Sequence, residues 1–223
     1  MNKQKKEQNL SKSQDGGYTI IESLVAMIVV SVLMIAIAPV MAFSVATRVQ
    51  ARRTELATQA ARAYIDALRT GSLRPNDPTS LPGFPITRVP DGQKVATASV
   101  PGNTTGLYCV NLDGTANCET SSSKDFYVQG AWQVPTSVTL TNANDPTPVG
   151  YELMVRVYRA DSFAGVTLNP TPSQGKKQSV VGGLGDRTMP VVEMTTEIPP
   201  TTNGGSSAYR SLCSRISGSN SCQ

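Results

Sequence analysis

Gly16-Gly17-Tyr18-Thr19-Ile20-Ile21-Glu22-Ser23 opens into an apolar run that begins at Leu24 and lasts to Phe43. Between those two residues only Ser31 and Pro39 interrupt apolar or small side chains. As a helix rising about 1.5 Å per residue, such a run spans roughly 30 Å, one hydrocarbon layer. Glu22 is the exception, since a carboxylate in a spanning segment costs about 2.5–3.5 kcal/mol at mid-bilayer by insertion scales and less near the interface. A charge kept at such a place calls for a function.

Three arrangements compete for this stretch. A secretory signal peptide has a basic flank available in Lys3, Lys5, Lys6 and Lys12 and small residues at Ala36-Ile37-Ala38 for cleavage. The apolar run is too long for one, it contains Glu22, and Pro39 would follow the cut. A plain single-pass anchor, carrying an exported binding module that does not polymerise, explains the length but neither Glu22 nor the glycine pair. In the third arrangement the basic leader is removed at Gly17, and Tyr18 becomes a new N-terminal amine four residues ahead of Glu22.

Gly17-Tyr18-Thr19-Ile20-Ile21-Glu22 resembles the prepilin processing signature of type IV pilins and type II secretion pseudopilins: glycine, an aromatic, a small hydroxyl residue, two aliphatics and glutamate, then an apolar helix. The resemblance implies cleavage by a prepilin peptidase between Gly17 and Tyr18, N-methylation of Tyr18, and a role for Glu22 in assembly. It also implies partners: other pilins or pseudopilins, an assembly ATPase and an inner-membrane platform protein. A physical rationale exists for Glu22, because an ammonium and a carboxylate from neighbouring subunits neutralise each other in a water-poor helix core, and removing one strands the other. The first helical turn also favours a negative charge. Pro39 removes one helical hydrogen bond and marks a kink, tolerated where neighbouring helices repair the loss; helices of this family often carry a proline in this region.

The helix is expected to run on into water, from about Tyr18 to Thr70. Val45, Val49, Leu56, Ala60, Ala63 and Ala67 form one stripe at helical spacing, with Tyr64 and Leu68 alongside and Arg48, Arg52, Arg53, Glu55, Arg62, Asp66 and Arg69 elsewhere. Gly71 suits the C-terminal cap and Pro75 blocks continuation. The arginines read as an interfacial flank rather than a nucleic-acid patch.

Beyond the helix the chain turns rich in Pro, Gly, Ser and Thr, with strands expected at Lys94–Val100, Leu107–Leu112, Asp125–Val134, Gly150–Arg159 and Val191–Ile198. In the fourth, Tyr151, Leu153, Val155 and Val157 alternate with Glu152 and Arg156, the pattern of a half-buried strand in an antiparallel sheet whose apolar face takes the amphipathic helix. Long connections are expected at Arg74–Gln93, Thr141–Pro148, Asn169–Asp186 and Pro199–Ser207.

Cys109/Cys118 and Cys213/Cys222 are two pairs of equal spacing. Four cysteines allow three pairings; local disulfides suit an exported domain, whereas a four-thiolate zinc site lacks its usual Cys-x-x-Cys spacing. The absence of histidine removes a Ser-His-Asp triad and any histidine metal site. Ser121-x-x-Lys124 is a loose Ser–Lys match in a serine-rich loop, and Asn111, Asp113 and Asn117 offer oxygen ligands without an EF-hand pattern. Gly182-Gly183-Leu184-Gly185 lacks the flanking strand and helix of a phosphate cradle, and Gly175-Lys176 lacks the P-loop hydroxyl and first glycine. Trp132 and the tyrosines in strand contexts read as core. With the leader's four lysines gone the chain is only mildly basic, so no specific nucleic-acid affinity is expected.

The expectation is an α+β, pilin-like fold: leader 1–17, transmembrane or filament-core helix 18–46, amphipathic continuation 47–71, and exported β-rich domain 72–223. No catalytic residue, metal or cofactor is expected. The subunit is placed in the inner membrane with its C-terminal domain in the periplasm, then in a pilus or pseudopilus. Ile20–Ala26 and Tyr151–Asp161 also look similar to pseudopilins of the cyanobacterial hormogonium polysaccharide secretion group, against a minor pilin of a motility or DNA-uptake pilus.

Overall fold

A computed structural model of the chain describes residues 19–75, 86–134, 140, 145–169 and 186–200. The chain divides into two units, Met1–Val45 and Ala46–Gln223. One helix, α1 (Ile20–Arg69), contributes to both. In the first unit its apolar side chains are exposed on every side, from Ile20 and Ile21 to Met41 and Phe43. A helix that is hydrophobic all round is one whose natural surroundings are not water.

In the second unit α1 becomes amphipathic and ends where glycine permits. Gly71 adopts φ 74°, its N–H reaches the Leu68 carbonyl at 3.2 Å, and the Leu73 N–H reaches the Ala67 carbonyl at 3.1 Å. The left-handed turn thus uses carbonyls that the helix end leaves over.

The buried face of this segment differs from the expected stripe. Gln50, Ala57, Ala60, Ala61, Tyr64, Ile65 and Leu68 are buried, whereas Ala63 and Val49 are exposed. Covering a tyrosine, an isoleucine and a leucine gains about 1.5–3 kcal/mol for each large apolar side chain, more than covering alanines does, so the helix is rotated to put Tyr64, Ile65 and Leu68 inward.

Among the described residues five strands form one mixed sheet: β1 (Thr87–Arg88), β2 (Tyr108–Val110), β3 (Phe126–Gln133), β4 (Tyr151–Arg159) and β5 (Val192–Ile198). β3, β4 and β5 are an antiparallel meander, with Gly130 opposite Val155 and Val155 opposite Met194. β2 pairs antiparallel with one end of β3, at Val128, Tyr127 and Phe126. β1 pairs parallel with the other end, at Ala131 and Trp132. That parallel pair departs from the expected all-antiparallel sheet, and its two residues lie where a long loop was expected. Two residues are too few for an alternation to register.

The face of the sheet formed by Phe126, Val128, Trp132, Leu153, Val155 and Val157 packs with Ala57, Ala61, Tyr64, Ile65 and Leu68 of α1. Close approach is possible because β3 carries glycine opposite the largest helix side chain. A Cβ at Gly130 would collide with Tyr64 Oη and lie 3.1 Å from Tyr64 Cε1 and 3.2 Å from Ile86 Cγ2.

The opposite face is covered as well. Val89, Val95 and Ala98 pack on Ala131 and Met154, and Arg156, expected to face outward, is buried. Its Nε donates to Glu193 Oε2 at 2.8 Å, and its two terminal nitrogens donate to the Ala98 and Ala96 carbonyls, each at 2.8 Å. Gln129 Nε2 donates to the Ser99 carbonyl at 2.7 Å. These bonds explain why Lys94–Val100 is no strand but a 3-10 turn at Val95–Thr97 with extended flanks. Carbonyls that would otherwise need a neighbouring strand accept from side chains of the sheet below.

Gly130→Ala should lower the stability of the full chain in detergent by about 1–3 kcal/mol, and Tyr64→Phe should make that penalty smaller by removing the colliding oxygen; equal penalties in both backgrounds, measured by chemical denaturation, would refute the seating described. Burial also raises the Tyr64, Tyr151 and Tyr158 phenols, Tyr158 to about 12. A raised folded-state value favours the neutral phenol, so this contribution is full below the ordinary phenol value of about 10 and is lost as pH rises beyond it. Thermal midpoints should therefore fall above about pH 10, less steeply in Tyr64→Phe; an identical alkaline slope in that variant would contradict the assignment.

Candidate functional site

Gly17 and Tyr18 lie outside the described residues, which begin with Thr19. The Thr19 carbonyl accepts from the Glu22 N–H at 3.0 Å and the Ser23 N–H at 3.2 Å, so α1 starts within the motif itself, at its first aliphatic residue. Glu22 sits in the first turn and is exposed. Its carboxylate is the single ionisable side chain between Thr19 and Thr47. It lies where the exposed N–H groups of the helix start favour an anion.

The remaining polar side chains of this segment's first half are dealt with internally. Ser23 Oγ donates to the Ile20 carbonyl at 2.8 Å and Ser31 Oγ to the Met27 carbonyl at 2.7 Å. Bonded back onto their own helix, both hydroxyls are compatible with an apolar setting. Pro39 lies inside α1, which continues through it; having no N–H, it gives the Ile35 carbonyl no helical donor. By length and composition α1 qualifies to cross a membrane, and its most apolar part is exposed throughout. Such a segment has two ways to escape water, a bilayer or the apolar helices of other chains.

Among the described residues of the C-terminal unit a tied loop holds several of the residues singled out in the sequence. Cys109 and Cys118 form a disulfide; Cys213 and Cys222 lie outside the described residues. Within and beside this loop, oxygens are already engaged by the chain itself. Asn111 Oδ1 accepts from the Asp113 and Gly114 N–H groups at 3.3 and 3.2 Å. Asp113 Oδ1 takes the Thr115 hydroxyl at 2.7 Å and its Oδ2 the Ser122 hydroxyl at 2.8 Å. Those hydrogen bonds, the Thr115 hydroxyl foremost, hold the Asp113 carboxyl below its ordinary range. Asp125 accepts the Leu112 N–H at 3.0 Å and the Glu119 N–H at 3.3 Å, fastening the loop to the start of β3. Among the described residues no group of three or more acidic or cysteine side chains is arranged to hold a metal.

The Ser–Lys pattern is not assembled either, since Ser121 Oγ donates to Glu119 Oε2 at 3.3 Å. Trp132 is fully buried beneath α1, with its ring 6.2 Å from that of Tyr151, a core residue rather than a stacking platform. The Gly182–Gly185 and Gly175-Lys176 segments fall outside the described residues. What sequence reasoning missed was the burial of Arg156 and the inward position of Ile65, neither of which has a local signal strong enough to override charge or stripe position.

Comparison with known proteins places the similarity at the N-terminus. No curated protein and no solved structure matches the chain. Residues 12–38 match the family model of the prokaryotic N-terminal methylation motif, a stretch that takes in Gly17, Tyr18 and Glu22. The chain thus carries, at residues 12–38, the methylation motif that is the signature of type IV pilins and pseudopilins.

Proposed function

We propose that the chain is a structural subunit that is cut, methylated and polymerised. The observation that carries this reading is Glu22: one carboxylate at the start of the exposed apolar part of α1, which has no other ionisable side chain before Arg48, inside the methylation motif. Prepilin peptidase hydrolyses the Gly17–Tyr18 bond and the new amine of Tyr18 is methylated. Until assembly, α1 anchors the subunit in the inner membrane with the C-terminal unit in the periplasm. An assembly ATPase and a membrane platform protein then draw it among other pilins or pseudopilins. There the Glu22 carboxylate meets the Tyr18 ammonium of a neighbour, and the apolar face exchanges lipid for helices. Because lipid is as apolar as the helices, this exchange is nearly neutral in hydrophobic terms, and a charge pair in a water-poor core supplies the register. The disulfide loop and the sheet serve as the subunit's outer body, with no catalytic role assigned to them.

The similarity of Ile20–Ala26 and Tyr151–Asp161 to polysaccharide-secretion pseudopilins supports polysaccharide as the exported cargo. A deletion strain is expected to lose polysaccharide from the spent medium while keeping surface pili; loss of pili instead would assign the subunit to a pilus.

Processing is tested by N-terminal peptide mass spectrometry of the protein from its native membrane beside a Gly17→Glu variant. The expected wild-type N-terminus is methylated Tyr18, absent from the variant. An N-terminus at Met1 in both proteins would overturn the reading in favour of a single-pass anchored module.

A further inference from the structure

In the second unit, the first turns of α1 beyond Val45 and the segment leading into β3 enclose an open groove of about 800 Å³. Its charged lining is mostly cationic, with Arg48, Arg52, Arg53 and Lys124 against the one carboxylate of Glu55. Glu55 is engaged with Arg52 at 3.5 Å, and Arg53 lies in the fields of Arg159 and Asp161. Lys124 helps to hold the Asp113 carboxyl low, but that carboxylate accepts from the Thr115 and Ser122 hydroxyls. Arg48 and Lys124 are exposed and form no salt bridge among the described residues. Val49 and Leu112 add exposed apolar surface beside them. An exposed cation needs no partner in water, so the groove alone names no ligand.

The other end of the same unit supplies a complement. Glu152 and Glu197 stand directly opposite each other where β4 pairs with β5. Side chains at such positions are close neighbours, and like charges there destabilise a sheet. Glu152 is exposed and forms no salt bridge among the described residues. Partial desolvation, and then the Glu197 carboxylate, hold its carboxyl above the ordinary range. The isolated subunit bears a cost here that a cation from outside removes.

The two patches cannot meet within one chain. The groove is on the helix face of the sheet, because Leu56 and Phe126, which line it, belong to the core between α1 and the strands. By alternation along β4, Glu152 falls on the opposite face with Met154 and Arg156. Phe126 lies opposite Arg159, whereas Gln133 lies opposite Glu152. The acid is therefore about 24 Å along the sheet from the groove's end. With the patches at opposite ends and on opposite faces, one neighbour covers only one of them. A contact that uses both is heterologous: each copy presents Glu152 to one neighbour and its groove to another, which propagates from copy to copy instead of closing as a two-fold pair.

We infer that Glu152 of one copy docks in this groove of the next, against Lys124 and Arg48, with Val49 and Leu112 covering the charges from water. The inference rests on the polymerised state of the proposed function and adds to it a contact between second units. Shielding by the two apolar side chains strengthens a pair that contributes little in open water. The far wall of the groove is built to keep its place, since the Leu112 N–H is held by Asp125 Oδ1 at 3.0 Å and the Cys109–Cys118 disulfide closes the loop that presents it.

Zero-length carbodiimide coupling of the full chain in membranes and filaments of the native host tests the contact, because the reagent joins Lys124 Nζ only to a carboxylate that touches it. The expected product is a Lys124–Glu152 amide. The separation of about 24 Å within one chain makes that amide a link between copies. Arg48→Gln should lower its yield about two- to fivefold, with an unchanged thermal midpoint. Coupling in about 1 M salt, where the screening length falls to about 3 Å, should lower it likewise.

Absence of the amide, a yield indifferent to both Arg48→Gln and salt, or Lys124 joined instead to a carboxylate of a different protein would overturn the inference, the last by giving the groove to another partner. The same digest contains the N-terminal peptide. Methylated Tyr18 without the Lys124–Glu152 amide defeats the contact and leaves the filament reading standing, whereas the amide beside a Met1 N-terminus defeats the filament reading and leaves the contact.

Discussion

Between Thr19 and Thr47 the helix has one ionisable side chain, Glu22, and its large apolar residues are exposed on all sides. Water is excluded as the working environment of such a surface by a simple magnitude: each large apolar side chain left in water forgoes about 1.5–3 kcal/mol. The segment must be in lipid or against other helices, and a subunit that moves from one to the other needs something besides hydrophobicity to set its register. A carboxylate at the first turn meets that need because its cost in an apolar setting is removed only by a specific cation. The methylation motif supplies the chemical context, since processing at Gly17 would create an amine four residues away.

The second unit is organised by two polar exceptions of a different kind. Tyr64 lies against β3 because Gly130 has no Cβ, which lets α1 approach the sheet closely on that face. Arg156 does the corresponding work on the other face, where it binds Glu193 and the carbonyls of Ala96 and Ala98. A buried guanidinium with its donors satisfied holds an irregular segment in place without requiring that segment to be a strand. The sheet is therefore covered on both faces, although only the helix face has a pattern visible in the chain.

That asymmetry accounts for what was legible in the sequence. The helix limits were read within two residues, because apolar length, charge spacing and Gly71 are local signals. The strands β2 to β5 were equally plain, since alternation in Tyr151–Arg159 and its neighbours survives whatever packs above them. The parallel pairing of Thr87–Arg88 with β3, the 3-10 turn at Val95–Thr97 and the burial of Arg156 were not legible. Each depends on residues distant in the chain meeting in space, for which a single sequence has no period to offer. Tyr64 and Leu68 were legible beside the helix stripe, whereas the burial of Ile65 in place of Ala63 belongs to the same class as these misses, as the sheet opposite decides it. For the motif the balance is reversed: Gly17, Tyr18 and Glu22 were named from sequence pattern alone, and Glu22 is found at the helix start where that pattern puts it.

In the proposed function the apolar part of α1 ends its life packed against other helices rather than in lipid. Replacing Val30, midway along that exposed surface, with a photo-crosslinking p-benzoylphenylalanine in the full chain and irradiating cells of the native host tests it directly. The expected products are covalent links between this chain and itself or another chain bearing a methylation-type helix, found only when Gly17 is intact. Crosslinks to lipid alone, unchanged by Gly17→Glu, would contradict it.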